Sequence, residues 1–193
     1  MKTVSVTLSP ELRLEQALQN AGIENPASVA KLIITGATLR KRDFEYIRKN
    51  MSETLQELDM GDVSLLRKHF PQDAFRELRG LTSITIPNSA AKFDPEILGL
   101  ETCINLISVI ARSDNPYFTS QDGVLFDKRM SELVFYPCGR QGDYKVPDNV
   151  NAICNFAFCK CPGLTSIHIN SVFMMGRDNP GLDGVKTLKT YSR

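Results

Sequence analysis

The sequence predicts an α/β solenoid: short parallel strands in register, helical N-terminal repeats and a β-hairpin insertion. Three observations carry this. Leu164-Thr165-Ser166-Ile167-His168-Ile169 echoes Leu81-Thr82-Ser83-Ile84-Thr85-Ile86. The underlying pattern, apolar-x-x-apolar-x-apolar, starts at Val29, Leu55, Leu81 and Leu106, in steps of 26, 26 and 25. Each unit ends on two apolar residues one apart, which places both on the same side of a short strand. One such unit cannot bury its own apolar face, whereas about three or more stacked copies can.

Taken in order, residues 1–8 alternate and read as a first strand, with no apolar stretch of the kind a signal peptide needs. Ser9-Pro10-Glu11 predicts a helix start, with Ser9 as N-cap and Pro10 at the first helical position. Leu14, Ala17, Leu18 and Ala21 follow helical spacing, and Gly22 stops the run. Phe44, Ile47, Met51 and Leu55 form a second helical stripe. The later connectors, such as Asp94 to Leu98, are long enough for only a turn or two. Val124-Leu125-Phe126 and Glu132 to Tyr136 flank a short polar link, which predicts a hairpin. The pattern returns at Tyr144-Lys145-Val146 and at Leu164, then weakens at Val185…Leu188…Thr190.

Composition narrows the function classes. The chain has 193 residues, with 23 basic against 22 acidic side chains. A net charge of +1 gives no electrostatic case for nucleic acid or an anionic membrane. No apolar run is long enough for a membrane-spanning helix.

The candidate chemical groups have simple structural readings. Cys154, Cys159 and Cys161 are spaced C-x4-C-x-C, unlike the paired spacing of zinc sites. Cys161 precedes Leu164 by three, as Cys103 precedes Leu106, so both read as buried repeat positions. Cys159 is the thiol expected to react. His69 and His168 are isolated, with no nucleophile or orienting carboxylate at a catalytic spacing. Arg40-Lys41-Arg42, with Glu45 close by, reads as a solvated helix face. No catalytic residue, cofactor or metal site is expected, and the chain is not read as an enzyme.

Two surfaces are left as candidates. The outward strand slots are Lys31 and Ile33, Glu57 and Asp59, Ser83 and Thr85, Ser108 and Ile110. Asp143 and Lys145, Ser166 and His168, and Thr187 and Lys189 continue the series. From these, Asp59, Thr85, Ile110, Lys145 and His168 make the candidate binding face, which is mixed in charge and mostly small and polar. The hairpin region concentrates five of the fifteen aromatics in twenty residues, so Tyr117, Phe118, Phe135 and Tyr136 form a candidate aromatic contact patch.

Asn115 to Phe126, Leu133-Val134-Phe135-Tyr136-Pro137, Tyr144 to Val150 and Ala157 to Ile167 together resemble the BspA-like bacterial surface leucine-rich-repeat proteins. The resemblance is strong over about 73–170 and looser over 29–72, and Ser171 to Gly181 carries none of its motifs. It implies a leucine-rich-repeat solenoid and a location at the cell surface or in the secreted fraction, any signal peptide having been removed. It also implies a non-catalytic role in adhesion or macromolecular recognition, with an extracellular protein or glycan as partner. The alternative is a structural or scaffolding spacer within an envelope assembly. The expected organisation is one domain: an N-terminal cap over 1–28, repeats over 29–111, a hairpin insertion over 112–142, and repeats with the C-terminal end over 143–193.

Overall fold

The computed structural model describes residues 2–158, 160–170 and 188–191. The architecture is mixed α/β, with parallel strands and few helices. The chain begins with the predicted first strand, β1 (Lys2–Leu8), whose side chains alternate between solvent and core. Strands β2 (Val29–Leu39), β3 (Glu57–Leu65), β4 (Ser83–Thr85) and β5 (Ser108–Ile110) follow. The five lie side by side in chain order, every neighbouring pair parallel. The register brings Val4, Leu32, Leu58, Ile84 and Val109 into one buried row. This is the row the repeat spacing demands. A fully buried aliphatic side chain such as Ile84 contributes about 1.5–3 kcal/mol by leaving water.

Helix α1 (Leu14–Asn20) buries Leu14, Ala17 and Leu18, and Gly22 follows its end. Its start differs from the sequence expectation. The Ser9 hydroxyl accepts from the Leu12 N–H at 3.0 Å, which closes a separate turn. Arg13 then returns to extended backbone and sits at the N-cap position. The helix start is satisfied from a distance instead. The buried carboxylate of Asp43 accepts from the Leu14 N–H at 3.3 Å and from the Arg13 guanidinium. It also accepts from the Arg40 N–H at 2.8 Å, at the start of α2 (Lys41–Met51). One carboxylate thus caps two helices. The α2 stripe of Phe44, Ile47 and Met51 faces the core as expected, and Lys41 pairs with Glu45 at 3.7 Å on the solvated side.

Beyond the short helix α3 (Pro95–Leu98), the strand ladder is interrupted. Strands β6 (Phe118–Gln121), β7 (Val124–Asp127) and β8 (Glu132–Phe135) pair antiparallel, and the short β10 (Ala152–Ile153) joins β8 in parallel. Asp122 and Gly123, both at positive φ, make the two-residue turn between β6 and β7. That turn occupies the edge of β5, where the Val109 N–H donates to the Gly123 carbonyl at 2.9 Å. A third sheet holds β9 (Gly142–Lys145), β11 (Leu164–Asn170) and β12 (Leu188–Tyr191) in the order β12-β11-β9, all parallel. Among the described residues there are therefore three sheets, not one ladder. The antiparallel hairpin supplies the hydrogen bonds at the β5 edge that a further parallel strand would otherwise have made.

The core remains continuous across these breaks. Phe44, Phe70, Phe75 and Phe93 pack edge to face at centroid distances of 5.3–6.1 Å, and Phe93 hands the chain of rings on to Phe118 and Phe135. Tyr136, Tyr144 and Phe158 form a second cluster at 4.8–6.2 Å. Such ring pairs add roughly 0.5–1.5 kcal/mol each beyond their burial.

Candidate recognition face

On the outer side of the five-stranded sheet the register builds two rows. One is Thr3, Lys31, Glu57, Ser83 and Ser108; the other is Ser5, Ile33, Asp59, Thr85 and Ile110. Three of the predicted face residues, Asp59, Thr85 and Ile110, are thus direct cross-strand neighbours, spaced by about 4.8 Å per strand. Lys145 and His168 are likewise neighbours, but in the separate β9–β11 sheet, with Lys189 beyond them. The predicted single face is two groups.

The charges in the first group are engaged. Lys31 pairs with Glu57 at 2.6 Å, and this contact raises the lysine pKa. Arg112, in the turn after β5, reaches across to β3, with Nη2 at 3.2 Å from Asp59 and Nη1 at 2.5 Å from Asp62. Asp59 also accepts from the Gly61 N–H at 2.9 Å. A β-bulge at Met60 and Gly61, both buried, makes room, since a Cβ on Gly61 would stand 2.3 Å from the guanidinium carbon. No repeat position foretells Arg112, because its partners lie about fifty residues upstream. Between these charges the surface consists of small hydroxyl side chains, with half-buried Ile33 and exposed Ile110 to either side.

In the second group Asp143 accepts from the Thr165 hydroxyl, and hydrogen bonds from Thr165 and Ser166 hold its carboxyl below the usual carboxylate range. The Nε2 of His168 lies 3.1 Å from Ser166 Oγ and 3.6 Å from Asp143 Oδ2. A Ser-His-Asp relay needs the carboxylate and the hydroxyl on different ring nitrogens. Here both meet the same one, so the trio holds the imidazole in place and offers no proton path. Ser166 lies on the outward side the strand slots predict, but it is buried there beneath His168 and Asp143. A register shift between Leu164 and Ser166 brings Thr165 to the same carboxylate, and Thr165 is exposed.

The aromatic patch requires correction. Phe118, Phe135 and Tyr136 are core residues, at most 7% exposed. They complete the ring clusters beneath the hairpin, so no exposed aromatic pair exists there. Only Tyr117 reaches the surface, where its hydroxyl lies 3.2 Å from Lys68 Nζ.

Three of the cysteines occupy equivalent buried positions. Cys103, Cys138 and Cys161 each precede the central core residue of the following strand (Val109, Tyr144 and Ile167) by six. Each thiol donates to the carbonyl of an earlier segment, namely Phe75 at 3.1 Å, Leu100 at 3.6 Å and Tyr136 at 3.7 Å. The sequence spacing identifies this slot at Cys103 and Cys161 but not at Cys138, because Gly142 stands at the leading position of β9 where Leu106 and Leu164 mark the other two. Burial pushes the Cys103 thiol up to about 12, and does the same for half-buried Cys154. Cys159 lies outside the described residues, as does Thr187. Among the described residues no group of three His, Cys, Asp or Glu side chains is placed to hold a metal ion, and no helix is long and apolar enough to cross a membrane.

Residues 128–177 match the family described as "BspA type Leucine rich repeat region (6 copies)". Among solved structures, the chain is similar to the pneumococcal vaccine antigen PcpA, with 17% identity and a TM-score of 0.47 over 84% of this chain. That likeness spans 42% of the antigen's length. It is also similar to a leucine-rich repeat protein from Eubacterium ventriosum, with 13% identity, a TM-score of 0.43, and coverage of 100% of this chain and 67% of the other. No curated protein matches the sequence. The similarity to the BspA-type leucine-rich-repeat family thus rests on residues 128–177.

Proposed function

We propose that this chain is a non-catalytic recognition module of a bacterial cell-surface or secreted protein, binding a polar macromolecule, protein or glycan, through its outward strand slots. In this reading the chain is one leucine-rich-repeat solenoid. Residues 1–28 close its first end, 29–111 are repeats, 112–142 are an inserted hairpin, and 143–193 resume the repeats. The observation that carries the reading is the in-register row Ser5, Ile33, Asp59, Thr85 and Ile110. A parallel ladder in chain order presents one short outward side chain per strand, which makes an extended, regular surface of the kind repeat proteins use for binding. The BspA type of the repeat supports the surface or secreted location.

The spacer alternative is favoured by one observation: Lys31 with Glu57, and Arg112 with Asp59 and Asp62, already satisfy one another. Binding of the folded chain to an array of extracellular-matrix proteins and glycans separates the two. Recognition predicts at least one ligand whose affinity falls tenfold or more in Thr85→Arg, a half-buried outward position between Asp59 and Ile110 in the row, without loss of thermal stability. A folded chain that binds nothing above controls overturns the proposal, as does binding indifferent to Thr85→Arg.

A further inference from the structure

Two cavities that share Pro95 are walled by connecting segments and by the hairpin sheet, and no outward strand slot contributes to either. The smaller, about 180 Å³, has apolar walls of Pro95, Phe135 and Phe156, with Glu96, Glu101 and Lys160 around them. The larger, about 320 Å³, sets Asp94 and Glu132 against Phe93 and Ile153. Four carboxylates thus line the pair against one ammonium. The whole chain has a net charge of +1, so this negative potential is local.

The four carboxylates are not equivalent. Asp94 is occupied at the start of α3, accepting from the Glu96 and Ile97 N–H groups at 3.1 Å. Glu132 stands beside the Cys154 thiol, which burial and the neighbouring carboxylates keep protonated. Glu101 is the most informative. Its Oε2 is shut off from water and, among the described residues, has no hydrogen-bond partner. Arg76 lies within electrostatic reach of it but is engaged by Asp73 at 2.9 Å. A desolvated acceptor without a donor is costly, and turning the carboxylate toward a cation held in the cavity relieves that cost.

We infer that this double cavity is a docking groove for a basic peptide segment of a partner protein. Lysine and arginine suit it because their alkyl stems cover apolar walls while their heads meet carboxylates. The stems lie along Pro95 and Phe156, and the heads are taken by Glu101 in one cavity and Glu132 in the other. Carboxylates in two adjoining cavities call for more than one cation on a single strand of ligand. The groove is separate from the strand face and stands or falls independently of it.

The test is fluorescence anisotropy of a short labelled peptide alternating lysine and leucine, titrated with the full chain at low salt. Glu101→Gln and Glu132→Gln are near-isosteric, and circular dichroism checks that the variants fold. The expected result is saturable binding, weakened on the order of tenfold or more in the double variant. Glu57→Gln, on the strand face, leaves it unchanged. Three outcomes overturn the inference: no saturable binding by the folded chain, an equal loss in Glu57→Gln, or spermidine displacing the peptide at matched concentration. The last would assign the cavities to a small polycation.

Discussion

Alanine at Gly123 tests the structural role of the hairpin, and alanine at Gly142 is its control. Both glycines hold left-handed backbone, at φ +80° and +85°. An L-residue there costs about 1–2 kcal/mol, partly offset by roughly 0.4–1 kcal/mol from a stiffer unfolded chain. A Cβ on Gly142 meets nothing within 4 Å. A Cβ on Gly123 stands 2.9 Å from the Ile107 carbonyl oxygen and 3.0 Å from the Ser108 Cα, both backbone atoms at the start of β5. Neither can swing away as a side chain could. The turn must lift, at an overpacking cost of about 1–3 kcal/mol. Lifting also stretches the 2.9 Å bond from Val109 to Gly123, worth about 1 kcal/mol. Gly142→Ala should therefore cost about 1 kcal/mol and Gly123→Ala about 2–5 kcal/mol. For a chain of 193 residues these are drops of roughly 2–4 °C and 4–20 °C in Tm. Urea and thermal unfolding followed by far-ultraviolet circular dichroism measure both. If the two variants differ by less than about 0.5 kcal/mol, the turn does not press on β5 and the account of the interrupted ladder is wrong.

Three further outcomes follow from the same geometry. Burial alone would raise the Asp127 carboxyl, but hydrogen bonds from the Glu132 and Ser131 N–H groups and the Ser131 hydroxyl hold it below the usual range. A lowered folded pKa gives stability that is present above the unfolded value of about 3.9 and lost as pH falls through the folded one. Asp127→Asn should thus cost about 1–3 kcal/mol near pH 7 and converge with the parent below about pH 4 in pH-dependent denaturation. Gly61→Ala and Arg112→Ala should each cost about 1 kcal/mol or less and be clearly non-additive in a double-mutant cycle, since the new methyl displaces the same guanidinium; additive costs would refute the Arg112 clamp. In the folded chain at pH 8, Cys103 and Cys154 should alkylate at least about a hundredfold more slowly than in urea, by peptide mapping; fast labelling of Cys154 would contradict its protonated, half-buried state.

The parts of the fold legible in the sequence are those set by local period. Ile84 and Ile86 have to share a side of a strand, and the 26-residue step carries that side to Leu58 and Val109, so the buried row and the slots beside it can be read before any coordinate. Long-range substitutions leave no such trace. Asp43 caps α1 from thirty residues away, Arg112 crosses to β3, and the Asp122-Gly123 turn takes the place of a strand. Each is a single residue or turn meeting one partner, with no repeat to announce it. Aromatic density misleads for a related reason. Phe118, Phe135 and Tyr136 cluster in sequence because the hairpin crosses the core edge, and there large rings fill volume that the smaller repeat residues leave empty. A one-residue bulge brings Thr165 to the Asp143 carboxylate beside Ser166, a shift invisible to a period-2 pattern.

The strand face and the Pro95 groove call for opposite electrostatics, and that makes the two readings separable. On the face, Lys31 is matched by Glu57 and Arg112 by two aspartates, so a charged ligand there would have to break pairs already made. Breaking them offers little return at a surface where each pair is worth about 0–1 kcal/mol. A ligand of the face therefore gains mainly from the hydroxyls of Ser83, Thr85 and Ser108 and from contact with Ile33 and Ile110, groups whose interactions do not depend on ionic strength. In the groove the excess is three negative charges within two adjoining cavities, and attraction to a cation falls as salt screens it, over about 10 Å at 0.1 M. Face binding should accordingly change less than twofold between low and physiological salt, and groove binding should weaken severalfold. Titrations of each ligand across that range decide it. A face ligand with a steep salt dependence would mean that the Arg112 clamp opens on binding, and the clamp would then have to be counted as part of the site.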